Sequence, residues 1–219
     1  MSRKTVLAGT AIAMLQAFAV LTAQAAEGKG ARVWSFEGEA IGSPPAGFEF
    51  AVSGKMQPGK WVIAREGANS VLAQVDRDRT ERRFAMALIK DVVYKDLKMS
   101  VRAKPVAGDV EMVAGLVWRY KDSANYYVAR WNADSVRVDR VVKGERQLLT
   151  PSEIKVALPA NQWHTLTVEH RGNDIKVLVD GKGVFAGSDT TYASGGRIGV
   201  WTKADSMTYF DDLTVQELR

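Results

Sequence analysis

Helical periodicity occurs nowhere beyond Ala26; short apolar segments recur instead, parted by polar or glycine-rich breaks. That pattern limits the chain to an all-β fold. Strand-like segments fall at 33–37, 48–52, 61–65, 70–75, 84–88, 97–101, 110–120, 126–132, 136–142, 162–171, 175–179, 184–185, 197–202 and 208–215. In 97–101, Leu97, Met99 and Val101 alternate with Lys98 and Ser100. In 162–171, Trp163, Thr165, Thr167 and Glu169 share one face, and His164, Leu166, Val168 and His170 the other. Such alternation marks strands with one buried face. Asp180-Gly181 and Lys143-Gly144-Glu145-Arg146 read as hairpin turns, and Pro105 with Gly108 should end the strand before them. A short helical turn at 91–96 is the one competing local reading. About a dozen short strands without a repeat period point to an antiparallel two-sheet sandwich of jelly-roll type.

The N-terminal residues have the make-up of an export signal. Ser2-Arg3-Lys4 brings positive charge, residues 6–21 are mostly apolar, and Ala23-Gln24-Ala25 forms an A-x-A cleavage site. A membrane anchor fits less well, because the apolar run is short of the ~20 residues a span needs and no basic flank follows. Residues 1–25 are therefore expected to be a signal peptide and 26–219 one domain, periplasmic or secreted. About 190 residues then remain, enough for a sizeable core. With no cysteine in the chain, lipidation at an N-terminal cysteine and disulfides are both excluded, so stability rests on that core.

The 30 basic and 25 acidic residues give +5, which falls to +3 once Arg3 and Lys4 leave with the signal. The basic residues are spread along the chain, so nucleic acid is not an expected partner. The densest run, Arg77 to Arg83, also holds Asp78 and Glu81 and reads as a solvated loop.

Several stretches carry a family resemblance. They are Trp34-Ser35-Phe36-Glu37-Gly38, Gly115-Leu116-Val117-Trp118-Arg119-Tyr120 and Asn125-Tyr126-Tyr127-Val128. Later come Gln162-Trp163-His164-Thr165-Leu166, Val179-Asp180-Gly181, residues 199–206 and the closing Tyr209-Phe210-Asp211-Asp212-Leu213-Thr214-Val215. Together they resemble the concanavalin A-like lectin/glucanase superfamily. Within it they are similar to the laminin-G-like and 3-keto-disaccharide hydrolase (family 16 glycoside hydrolase-like) domains of exported bacterial proteins. The resemblance spans nearly all of the mature chain. It implies a concanavalin A-like jelly roll, and it leaves activity open because lectins, hydrolases and adhesion modules share the framework.

Glycoside hydrolysis commonly needs two carboxyl groups flanking the scissile bond. The E-x-D-x-E strand motif of family 16 glucanases is absent. Asp211 and Asp212, as neighbours on a strand, are expected to face opposite sides. Asp76 and Asp78 have i, i+2 parity but lie among arginines and read as loop charges. The resemblance implies a second role for Asp211, at the head of the last strand: a structural calcium ion shared with carbonyls around residues 36–38. Hydrogen bonding of Asp211 to backbone amides is the alternative. His164 and His170 lie on one strand ~20 Å apart, too far for a shared metal.

A sugar site wants aromatic rings beside fork-like donors and acceptors. The candidate ligand residues are Arg119, Tyr127, Arg130, Trp201, Lys203 and Asp205. Arg119 falls where hydrolase-like relatives carry an arginine on the concave sheet. Parity does not decide between Tyr126 and Tyr127, and Trp118, Trp131, Trp163 and Trp201 are equally candidates for packing, Trp163 above all. The expectation is an exported carbohydrate-binding or carbohydrate-processing domain with its ligand on the concave face. A glycoside hydrolase acting on a (3-keto-)disaccharide and a non-catalytic structural or adhesion module are the alternatives.

Overall fold

The computed structural model describes residues 30–54 and 56–218, so the signal expected over 1–25 lies outside the described residues. Sixteen strands and no helix are described. They are β1 (Arg32–Trp34), β2 (Phe48–Ser53), β3 (Trp61–Glu66), β4 (Asn69–Gln74), β5 (Phe84–Ile89), β6 (Leu97–Ala107), β7 (Ala114–Asp122) and β8 (Asn125–Trp131). The second half adds β9 (Ser135–Val142), β10 (Glu145–Leu148), β11 (Ile154–Lys155), β12 (His164–Arg171), β13 (Asp174–Val179), β14 (Lys182–Ser188), β15 (Arg197–Lys203) and β16 (Met207–Glu217).

They form two eight-stranded antiparallel sheets. The first runs β14-β13-β12-β6-β16-β4-β3, with β1 on β16; the second runs β10-β9-β8-β7-β15-β5-β2, with β11 on β9. The all-β sandwich is thus the fold that the alternation anticipates. Leu166, Val168 and His170 of β12 face inward beside Met99 and Val101 of β6, and Phe210, Leu213 and Val215 of β16 join them. From the second sheet, Ala87, Leu116, Trp118, Val138 and Val200 close the same core.

Local details depart from the sequence reading for identifiable reasons. β6 runs through Pro105 to Ala107, because the pairing with β16 shifts register between Met207 and Thr208, opposite Pro105. A proline without an N–H is tolerated at such an irregularity. β7 begins at Ala114 and not near 110. The amides of Asp109, Val110 and Glu111 are taken by the Asp205 carboxylate, and that of Val113 by Ser206 Oγ, so these donors leave the ladder. Residues 91–96 form no helical turn; Tyr94 makes an isolated bridge to Gly196. Trp163 is not core. It lies half-buried outside the first sheet, under the Arg102 guanidinium at 5.1 Å and the Lys104 ammonium at 5.7 Å.

His170 is enclosed in the core, where its Nδ1 accepts the Trp118 indole N–H at 2.9 Å. Burial, helped by the nearby Arg119 charge, pushes its pKa down to about 4. The folded state thus favours the neutral ring. Stability is full above the ordinary histidine pKa near 6.5 and declines by about 3 kcal/mol as pH falls towards 4. His170→Gln keeps an acceptor for the indole but cannot titrate, so its melting temperature should fall less than that of the parent between pH 7 and 4. Equal slopes in the two proteins would remove His170 from the acid response. A second expectation concerns the seam between β15 and β5. A Cβ at Gly199 would stand 2.1 Å from the Ala87 carbonyl oxygen, whereas one at Gly183 meets nothing within 4 Å. Gly199→Ala should cost about 1–3 kcal/mol or more, and Gly183→Ala should leave the melting temperature nearly unchanged.

Candidate functional site

The outer face of the second sheet is a trough. Met86, Trp201, Gly115, Arg130 and Arg137 stand in one row across β5, β15, β7, β8 and β9. Phe84 stacks on Trp201 with centroids 5.4 Å apart and planes at 15°. A side chain at Gly115 would press Trp201 Cε3 at 3.3 Å and Arg130 Cβ at 3.1 Å, so the glycine makes room for the indole.

Arg146 belongs to β10, the far edge of this sheet, yet its guanidinium lies 5.2 Å from the Phe84 ring and 5.5 Å from the Trp201 ring. Five ladder steps separate β10 from β5, about 24 Å in a flat sheet. The sheet therefore coils until its β9–β10 corner folds over β5. The trough floor becomes a second apolar layer of Phe84, Met86, Leu88, Val117, Tyr126 and Trp201. Trp201 has 0% of its surface exposed.

What stays open is a recess of about 580 Å³ at the folded corner. Ser53, Met56, Thr80, Arg82, Phe84 and Ala124 line it, and Gly144 closes one side. Arg82 reaches Glu145 across the mouth at 3.6 Å. Beneath the Phe84 floor, Trp201 Nε1 and the Tyr126 hydroxyl are buried without a hydrogen-bond partner among the described residues. Burial raises the Tyr126 phenol above its ordinary pKa, and hydrogen bonding from Ser53 and the Trp201 indole, both too distorted to count as full partners, lowers it in part. Buried polar groups of this kind ordinarily find partners.

The rest of the trough is charged. Arg146 Nη2 donates to Asp139 Oδ2 at 2.5 Å, and Arg137 Nη2 to Asp139 Oδ1 at 3.0 Å. Arg130 Nη2 and Arg137 Nη1 share Glu153 Oε1 at 3.1 and 3.3 Å. Burial and the Arg146 charge lower the Arg130 pKa. Burial works against the Glu153 carboxylate, but Arg130 and Arg137 outweigh it and hold its pKa below the usual range. At the β15 end, Lys203 pairs with Glu111 at 2.7 Å. Every one of these carboxylates is an ion-paired acceptor. A glycosidase acid must keep its proton near neutral pH, and an adjacent guanidinium opposes that.

The six candidate ligand residues separate under this geometry. Arg130, Trp201 and Lys203 share the trough. Asp205 sits at its rim, buried, with its oxygens committed to three backbone amides. Burial opposes ionisation there, but those amides outweigh it and depress the pKa. Arg119 and Tyr127 do not face the trough. Arg119 occupies a bulge of β7 with φ 44°, which breaks the strand's alternation and sends its guanidinium inward. There it donates to the carbonyls of Lys95, Tyr192 and Gly172 and to Asp96 Oδ1, so it ties three loops together. Tyr127 points into the interlayer core, where its hydroxyl donates to Asp189; burial first, then that bond, raise its pKa to about 12. Tyr126 is the trough-facing member of the pair. Phe84, Arg137, Asp139 and Arg146 were not singled out by the sequence reading. The i, i+2 spacing of Arg137 and Asp139 was the available signal.

Asp211 and Asp212 lie on the first sheet, at a β16 bulge where Asp212 has φ 49°. The bulge overturns the expectation of opposite faces: Arg102 Nη1 approaches Asp212 at 3.0 Å and Asp211 at 3.9 Å. Burial raises the Asp211 pKa, while its Oδ1 accepts the Asp212 amide at 2.8 Å. Calcium takes about six to eight oxygens. Here one buried carboxylate is part-bonded and already faces a guanidinium, and no cluster of three ligating side chains occurs among the described residues. Asp211 thus makes the backbone hydrogen bond that was the alternative to calcium, with Asp212 and Glu37 as the nearby acids.

No protein-family model matches the chain, and no curated protein matches it. Solved structures do. The carbohydrate-binding module CBM66 from Bacillus subtilis has a TM-score of 0.63 at 19% identity, with 77% of this chain and 95% of that one covered. A β-glucanase from Bacillus licheniformis has 0.59 at 15% identity, covering 87% and 99%. A Bacillus subtilis protein of unknown function with a galectin-like fold has 0.56 at 10% identity, covering 77% and 89%. At these identities the likeness shows the fold alone: the two-sheet antiparallel β-sandwich that these proteins share.

Proposed function

We propose that this protein is an exported, non-catalytic carbohydrate-binding β-sandwich whose ligand enters the recess above Phe84. The observation that carries this reading is an open recess with an aromatic ring in its floor and polar side chains in its walls. The recess has the volume of a small-ligand site. An aromatic floor beside Ser53, Thr80 and Arg82 suits a ring that offers both C–H faces and hydroxyls. Among the structural neighbours, one is named a carbohydrate-binding module and another a glucan complex of a family 16 hydrolase, which adds support of a general kind. Export rests on the expected signal over 1–25.

Binding is preferred to hydrolysis because the trough carboxylates are all held by arginine or lysine. A structural or adhesion module is the second reading, and a specific observation favours it: the trough beneath Trp201 is filled by the protein's own side chains.

A glycan array separates the two. Ala124→Trp projects an indole from the β7–β8 turn into the recess without disturbing the core. The parent should bind a set of glycans, and Ala124→Trp should lose at least tenfold in affinity with an unchanged melting temperature. Absence of binding to every glycan, or equal binding by the two proteins, would favour the adhesion module.

A further inference from the structure

The trough arginines outnumber their anions. Arg130, Arg137 and Arg146 form ion pairs only with Asp139 and Glu153, and Glu111, paired with Lys203, acts on Arg130 as well, so four cations face three carboxylates. The three guanidiniums crowd one another: the Arg146 and Arg137 charges both act against Arg130. The hydrogen bonds are as short of acceptors as the charges are of anions. Arg146 spends only Nη2 on a carboxylate, and the Nε atoms of Arg137 and Arg146 are buried without a partner among the described residues. Arg130 Nη1 has only a long contact, 3.4 Å to Ser135 Oγ. A protein that needed these arginines for packing alone would match each with a carboxylate, since an uncompensated guanidinium beside others is costly.

The cluster is reachable. The Arg137 side chain is 27% exposed and that of Arg146 is 17% exposed. Arg146 also joins the cluster to the recess, because its guanidinium lies 5.2 Å from the centre of the Phe84 ring that lines it. A ligand seated on that floor therefore has the part-exposed Arg146 guanidinium beside it.

We propose that the ligand is an acidic saccharide, bearing a carboxylate or sulfate group that Arg146 and Arg137 accept as the missing anion. This rests on the reading of the recess as a sugar site and narrows it to one chemical class. Planar guanidinium forks suit the oxygens of both groups. Charge-assisted bonds of this kind, part-exposed, weaken with salt.

The test uses the intact mature protein and matched probes: oligogalacturonate against its methyl-esterified form, and a heparin fragment against its desulfated form, each at 50 and 500 mM NaCl. The acidic member of at least one pair should bind ten or more times tighter at low salt, and most of that advantage should vanish at high salt. Arg137→Gln should remove the preference and Arg137→Lys should keep part of it. Arg65→Gln, an exposed arginine on the first sheet, should leave it intact. If the Arg137 variants do not fold, the salt dependence and the paired probes decide on the parent protein alone. Equal binding of acidic and neutral members overturns this inference and leaves the sugar site standing. Acidic binding that survives Arg137→Gln, or is lost equally in Arg65→Gln, overturns the placement. No binding to any probe or to any glycan overturns both.

Discussion

The contact of Arg146 with Phe84 and Trp201 determines the shape of everything around it. Those rings belong to strands four and five steps away, so the cation can cover them only if the sheet coils through most of its width. Coiling converts an exposed sheet face into a second buried layer, and Trp201 passes from a candidate platform to a part of the floor. It also leaves an unfilled volume at the corner where the turns meet. The same residue that closes the trough stands over the floor of its remaining opening. Fold and candidate function therefore share Arg146, a long side chain on a four-residue edge strand.

A second buried cation, Arg119, works the other way. Its four acceptors come from three separate loops, and the left-handed bulge that turns it inward is set by the β7 backbone. Removing it would take the donor from three carbonyls and the cation from Asp96 at one end of the sandwich, a larger loss than one surface ion pair. Its role is to fasten loops, and Arg130, Arg137 and Arg146 are left as the arginines that a ligand can meet.

The parts of this structure that follow period-two alternation were legible in the sequence. In β12, Leu166, Val168 and His170 face inward and Thr165, Thr167 and Glu169 outward, as their spacing demands. What the sequence concealed lies where alternation breaks or where distant segments meet. Arg119 and the Asp211-Asp212 pair sit at bulges, and a bulge cancels the parity argument at the residue where it was needed. Asp205 looked free because the amides it accepts, those of residues 109–111, lie far from it along the chain. Tyr126 and Tyr127 differ by a single step that only the register of β8 resolves. The recess was invisible because it is made by curvature, and curvature belongs to the whole sheet.

The chain places its tryptophans in distinct settings: Trp118 and Trp131 between the sheets, Trp163 outside the first sheet, and Trp201 under the recess. Their indole N–H resonances therefore report separately on each surface. Titrating the isotope-labelled protein with a glycan that it binds is the most direct measurement. Binding above Phe84 predicts that the Trp201 indole N–H, stacked directly under Phe84, shifts strongly while those of Trp118 and Trp163 hold still. A Trp163 shift with Trp201 unmoved would place the ligand on the opposite sheet and contradict the account.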